Sequence, residues 1–412
     1  MHIRLHNARW WLGAALVAVL IFASCRGDAN PTPTPVAPTS TAPAPTVPPA
    51  PVMTPTPTVT SAMSALLLPG PTMPNLGQFF FLNQSDLWQA QSGGRIVHVT
   101  RNLVLGPWVM APDGTRAMTV IYSKRGEVTT EEVRIVRGDG ILSVPLYGPA
   151  PTAGPDAASP IVALSWSWDQ TKLAVAFADG SIGVLQVPAD EDQYPVAVER
   201  IVRAGADPAG RAIAWAPGGS GVAFLTAAGD ARGMFIAPLG APAQIIIGDI
   251  PIQTFTWLPG RGRIAFVQQA IGGGRDVPGS IFTVAADGTA LELLLSSGQF
   301  APAAEVLSLS ASPDGRSLAF TVFAPGNRGD LQFQSLWMLT IDGAELTHIP
   351  VAVGYRVADM WWTTQGLTWR AVSVGAPAGD DPTVYTGTGA FILQRYDDAT
   401  KKSTSLFSAA SR

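Results

Sequence analysis

The side chains that could do chemistry are few, and their spacing argues against most of it. Gly218-Gly219-Ser220-Gly221-Val222 approaches the Gly-x-Ser-x-Gly elbow that exposes a nucleophilic serine, but valine stands where the last glycine belongs. Such a serine also needs a histidine base oriented by a third group. Beyond His2 and His6 the chain has only His98 and His348, each inside a short apolar stretch (Ile96–Thr100 and Leu346–Pro350) where a surface or packing role is expected. Zinc wants several His or Cys ligands, and these are lacking. Asp190-Glu191-Asp192 offers oxygens for calcium without the ligand spacing or the glycine of a binding loop, so a solvated acidic loop is expected. No glycine-rich phosphate cradle stands at a strand–helix junction. Paired carboxylates can be assembled from any two distant segments, and nothing nominates a pair. The expectation is therefore no catalytic residue, no metal and no cofactor.

Cys25, the sole cysteine, is the residue with the clearest chemical prospect. Before it come Arg4 and Arg9 without an acid, then the apolar run Trp10–Phe22, then Ala23-Ser24. A basic start, a short apolar core and small residues make a secretory signal. The run is shorter than the ~20 apolar residues of a spanning helix. Ala23-Ser24-Cys25 resembles the bacterial lipobox, where the signal is cut before a cysteine that carries diacylglycerol, although Phe22 stands where Leu, Val or Ile is usual. The resemblance implies lipidation of Cys25; an ordinary signal, or an uncleaved anchor with an incidental cysteine, is the alternative. Asn30–Ser61 then alternates proline with small residues, which cannot bury a core and favour extended polyproline II at ~3.1 Å per residue. The divisions expected are a signal over 1–24, a Pro/Thr-rich disordered stalk over 25–63 and one folded domain over 64–412.

Charged residues make up 14% of the 412-residue chain and its net charge is −4, with no basic stripe, which argues against a nucleic-acid partner. The elements that position any site follow from a repeat. Ala311-Ser312-Pro313-Asp314-Gly315-Arg316-Ser317-Leu318-Ala319-Phe320 has copies from Trp215 and Trp257, weaker ones from Met110 and Trp166, and an eroded one from Met360 to Trp369. Repeats at roughly 50-residue spacing mark a stacked architecture. Within one copy, short alternating runs are joined by Pro-Asp-Gly and then by Asp342-Gly343, a hairpin signal because glycine accepts positive φ. Four antiparallel strands per repeat make a blade of an all-β propeller. Phe79–Leu82, Asp86–Gln89 and Ile96–Thr100 read as three strands of one more blade that lacks a clear inner strand. Seven blades are favoured, with six plus an N-terminal strand the alternative. Trp166, Trp215, Trp257 and Trp361 stand just ahead of the turns, where packing between blades is expected rather than a ligand cage.

These copies, with Leu336-Trp337-Met338 and Asp342-Gly343, resemble the repeat of TolB-type propellers over roughly Phe79 to Phe407. That resemblance implies an extracytoplasmic protein with protein partners at the cell envelope. Alternating strands put the tight first-to-second and third-to-fourth turns on one face of the disc. The opposite face receives the longer connections, at 123–132, 148–160, 270–279, 324–332 and 375–389. Loops held by a rigid scaffold carry function. The candidate ligand-binding residues are accordingly Arg125, Glu127, Arg275, Asp276, Asn327, Arg328, Asp330, Asp380, Asp381 and Tyr385. The function expected is a monomeric, lipid-anchored, non-catalytic module that binds an envelope or secreted protein. A propeller lyase or hydrolase acting on surface glycans or peptides, or a solute-binding sensor subunit, is the alternative. Acids, His or Tyr around the channel mouth would favour the enzyme, and small apolar residues there would favour binding.

Overall fold

A computed structural model describes residues 79–409, apart from 84, 92–94, 102, 126–127, 152–158, 203–211, 227–232, 269–278, 297–298, 300–304, 325–332, 353 and 374–389. Cys25 and the expected segments 1–24 and 25–63 lie outside the described residues. Blade I holds β1 (Phe79–Asn83), β2 (Asp86–Gln91) and β3 (Arg95–His98). Blade II holds β4 (Val104–Met110), β5 (Arg116–Arg125), β6 (Val128–Arg137) and β7 (Tyr147–Pro151). Blade III holds β8 (Ile161–Trp166), β9 (Lys172–Phe177), β10 (Ile182–Gln186) and β11 (Val198–Val202). Blade IV holds β12 (Ile213–Trp215), β13 (Gly221–Thr226), β14 (Gly233–Pro238) and β15 (Gln244–Gly248). Blade V holds β16 (Ile252–Leu258), β17 (Arg263–Gln268), β18 (Ser280–Ala285) and β19 (Glu292–Leu295). Blade VI holds β20 (Glu305–Ala311), β21 (Ser317–Ala324), β22 (Phe333–Thr340) and β23 (Glu345–Ile349). Blade VII holds β24 (Tyr355–Thr363), β25 (Gly366–Ser373), β26 (Phe391–Asp397) and β27 (Lys402–Ala409).

Each sheet keeps its strands in chain order with antiparallel neighbours, so the fold is a seven-bladed β-propeller. Blade I shows three strands among the described residues, as its sequence suggested. Second strands read as almost continuous apolar runs because each is covered on both faces by neighbouring blades; β9, KLAVAF, is buried from Leu173 to Phe177. Every pair of successive blades shares one apolar cluster. Leu164, Trp166 and Leu173 of blade III, for example, meet Met118 and Val133 of blade II. The ring closes where Phe79 and Phe81 of β1 pack with Phe391 and Leu393 of β26. Among the described residues no helix is long and apolar enough to cross a membrane.

The Pro-Asp-Gly turn of blade VI shows why that sequence is required. The Asp314 carboxylate accepts the Ser312 hydroxyl at 2.6 Å and the Arg316 N–H at 3.0 Å, while Ser312 Oγ accepts the Ser317 N–H at 2.9 Å. Gly315 takes φ +65°, and a Cβ there would lie 2.0 Å from the Pro259 carbonyl oxygen of blade V. Burial opposes ionisation of Asp314, but these hydrogen bonds hold its carboxyl below the ordinary aspartate range. Gly315→Ala combines a strained φ with a backbone clash and is expected to cost about 2 kcal/mol or more, read by chemical unfolding of the full chain. Ser167 and Asp169 repeat the arrangement in blade III, with Gln170 at φ +62° in the glycine's place.

Two expectations need correction. The stretch 123–132 is not a long loop: β5 and β6 pair as far as Arg125 with Val128, leaving a two-residue connection. Thr129 and Thr130 favour extended backbone and carry the ladder past the point where the apolar pattern fades. The tryptophan equivalent to Trp166, Trp215 and Trp257 is Trp362, not Trp361. Trp362 faces Leu367 across its hairpin, as Trp257 faces Ile264, whereas Trp361 points the other way and its ring lies tilted 5.1 Å from that of Phe79 in the closing seam.

Candidate functional site at the tight-turn mouth

Antiparallel strand order sends the first-to-second and third-to-fourth turns to one face and the remaining connections to the other. Of the residues nominated on the long-connection face, Glu127, Arg275, Asp276, Asn327, Arg328, Asp330, Asp380, Asp381 and Tyr385 lie outside the described residues. Arg125 ends β5, and its backbone is all that is described. Their mutual arrangement is therefore not part of the described geometry.

Toward that same face, the seam between blades II and III holds a polar group that the sequence did not reveal. Glu131 of β6 is fully buried, and one of its oxygens accepts the Ile161 N–H at 3.1 Å while Oε1 has no partner. Burial pushes its carboxyl above the ordinary range, against that hydrogen bond. Tyr147 is raised as well, by burial and then by the nearby Glu131 charge. Beside them the Arg200 guanidinium lies 3.6 Å over the Phe177 ring and donates to Ser181 Oγ at 2.5 Å. A raised carboxyl stabilises the fold fully below the unfolded glutamate pKa, and that stability is lost as pH rises through the folded value. Glu131→Gln is therefore expected to raise the melting temperature at pH 7 and leave it nearly unchanged at pH 4, in paired thermal melts.

The described cavity lies at the opposite face, at the tight-turn ends of four successive inner strands. Its volume is about 190 Å³. Blade III supplies Ser165, Trp166 and Trp168, blade IV Ala214 and Trp215, blade V Thr256, Trp257 and Pro259, and blade VI Ala311 and Pro313. No lining side chain titrates in the physiological range. Trp166, Trp215 and Trp257 are at most 4% exposed, so they are seam packing as expected and show only their edges to the cavity. Trp168, in the turn of blade III, is half-buried. Trp215 Nε1 donates to the Ser165 carbonyl at 2.8 Å and Trp257 Nε1 to the Ala214 carbonyl at 3.5 Å, tying each inner strand to the one before. Trp166 breaks the pattern: its Nε1 is buried without a partner, and the Arg116 guanidinium lies 5.5 Å from its ring.

The two histidines hold fourth-strand positions beside third-strand tryptophans. His98 stacks on Trp88 at 4.2 Å and meets Asp86 at 2.8 Å, and the His348 ring lies 4.7 Å from Trp337. Among the described residues no three His, Cys, Asp or Glu side chains gather as a metal site would need.

No protein-family model matches the chain, and no curated protein matches it. Solved structures do. A prolyl endopeptidase examined for inter-domain dynamics is similar at TM-score 0.52 and 14% identity, over 86% of this chain and 52% of its own length. TolB from Acinetobacter baumannii is similar at TM-score 0.43 and 14% identity, over 70% of this chain and 63% of that one. An oligogalacturonate lyase in complex with manganese is similar at TM-score 0.46 and 13% identity, over 74% of each chain. The chain thus spans about half of the endopeptidase and under two thirds of TolB, and the likeness is one of fold: this is a β-propeller with TolB among its structural neighbours.

Proposed function

We propose that the chain is a non-catalytic binding or scaffolding module, held at the cell envelope by lipid on Cys25 and presenting its propeller to an envelope or secreted protein. The observation that carries this reading is the lining of the cavity at the tight-turn mouth of blades III to VI, where the described residues are small, aromatic and proline side chains rather than acids, histidine or tyrosine. An enzyme acting at that mouth would need a general acid or base within hydrogen-bond reach of its substrate. The long-connection face, with Arg275, Arg328 and their acidic neighbours, is the surface assigned to the protein partner. The test is crosslinking in native membranes, followed by purification through the propeller and mass spectrometry. One enriched envelope protein is expected, crosslinked to the long connections. Reversing charge with Arg275→Glu and Arg328→Glu together is expected to weaken its capture at least tenfold. Unchanged capture would remove that face from the interaction, and no enriched protein at all would overturn the scaffolding role.

A further inference from the structure

One register position, at or next to the end of the inner strand, is filled by an indole in four blades. Trp166, Trp215, Trp257 and Trp362 each stand opposite the first core residue of the second strand: Leu173, Val222, Ile264 and Leu367. Blade II has Met110 there, opposite Ala117, and its thioether packs toward blade I and accepts the Phe80 N–H at 3.2 Å. Blade VI has Ala311, opposite Leu318. Each hydrogen-bonded indole leans back over the preceding blade and donates to the carbonyl just before that blade's own register position. Trp215 reaches Ser165, Trp257 reaches Ala214 and Trp362 reaches Ser310. By the same rule an indole at position 311 would reach the Thr256 carbonyl. Thr256 and Ala311 both wall the cavity of about 190 Å³. On the blade VI side this cavity is walled by Ala311, at the register position where four other blades carry an indole.

We propose that this cavity binds an indole ring from outside, seated against Trp257 and Pro259 as Trp215 and Trp257 are seated in their own seams. The ligand's ring N–H donates to the Thr256 carbonyl, and its ring meets the exposed edge of Trp257 and the pyrrolidine carbons of Pro259. With no charged wall, a charged ligand would lose hydration without compensation, so the ring is neutral. Two sources carry this chemistry, a free indole compound and a tryptophan side chain on an exposed segment of a partner. The site lies on the tight-turn face and is independent of whatever the long connections bind.

Fluorine NMR on the full-length protein tests it, with 5-fluoroindole and the N-acetyl amide of 5-fluorotryptophan as probes. Each measurement is read against Ala311→Trp in the same micelles, so that partition into detergent cancels. Saturable binding is expected for the wild type, at least tenfold weaker for 1-methylindole, which lacks the N–H. Ala311→Trp is expected to weaken it at least tenfold while keeping or raising the melting temperature, and Ala311→Gly to preserve it. If Ala311→Trp fails to fold, Ala311→Leu fills part of the seat and is expected to weaken binding at least threefold. Preference for the tryptophan amide supports the site and assigns it to a partner side chain, whereas preference for free indole supports it and assigns it to a small molecule. Equal binding by wild type and the filled variant, or no saturable binding to either, overturns the proposal. Indole binding that survives Arg275→Glu with Arg328→Glu would show that the two faces act separately.

Discussion

Trp215→Ala is expected to destabilise the propeller by about 3–5 kcal/mol, the range for removing a large aromatic from a packed interior. Trp215 is 1% exposed and stands in the seam between blades III and IV, packed among Ala163, Val184, Val222 and Phe224. Its N–H also bridges to Ser165 of the preceding inner strand at 2.8 Å, so the truncation removes packing and a cross-blade hydrogen bond together. The seam cannot collapse to refill the space, because each blade is also held from its other side. Chemical unfolding of the full chain, followed by far-ultraviolet circular dichroism, gives the value. Trp168→Ala serves as the comparison: a half-buried ring that packs only partly against the cluster between blades IV and V is expected to cost about 1 kcal/mol, near the centre of the mutational range. Equal effects at both positions would show that full burial within a seam is not what separates them.

Cys25→Ser is expected to move the protein from the membrane pellet to the soluble fraction. This follows from the proposed anchor and from the short apolar run before it. One acyl chain gives only marginal membrane binding, with an association constant of about 10⁴ M⁻¹, whereas two chains, as on a diacylglyceryl cysteine, hold stably. Loss of the lipid is thus expected to change partition by orders of magnitude rather than by a fraction. Metabolic labelling with an alkynyl fatty acid gives an independent readout: the wild type takes the label and Cys25→Ser does not. A variant that stays in the pellet without label would assign anchoring to an uncleaved Trp10–Phe22 segment instead.

The architecture was legible because it is written in local signals repeated many times. Asp-Gly and Pro-Asp-Gly announce hairpins through positive φ, and alternating apolar runs announce strands, so one clear copy at Ala311 made the degraded copies readable. That blade I reads as three strands, the number found there among the described residues, was visible for the same reason. What escaped depends on contacts across seams. Glu131 looks like any glutamate beside Glu132, and nothing local tells that one is fully buried and the other half-buried. Trp361 and Trp362 are adjacent, and only the register against Leu367 decides which faces blade VI. The cavity was hidden in plain view, since Ala311 opens the clearest copy and its smallness matters only beside Trp257 of the previous blade. For the nominated loop residues, polar composition suggested a shared face, but composition does not fix how side chains from separate loops converge.

The closing seam sets a timetable for assembly. Every described blade takes its strands from one continuous stretch of chain, so neighbouring blades can meet across about 50 residues as soon as both exist. Phe81 and Phe391, whose rings lie 5.1 Å apart, must find each other across roughly 300. Loop-closure entropy rises by ≈ 0.6 kcal/mol per doubling, so this contact costs about 1.5 kcal/mol more than any between adjacent blades. The ring should therefore grow blade by blade as an open arc and shut last at Phe79, Phe81, Phe391 and Leu393. On synthesis from the N-terminus, β1 must wait with an uncovered aromatic face until nearly the whole chain has emerged. That waiting interval is when the chain most needs protection from aggregation.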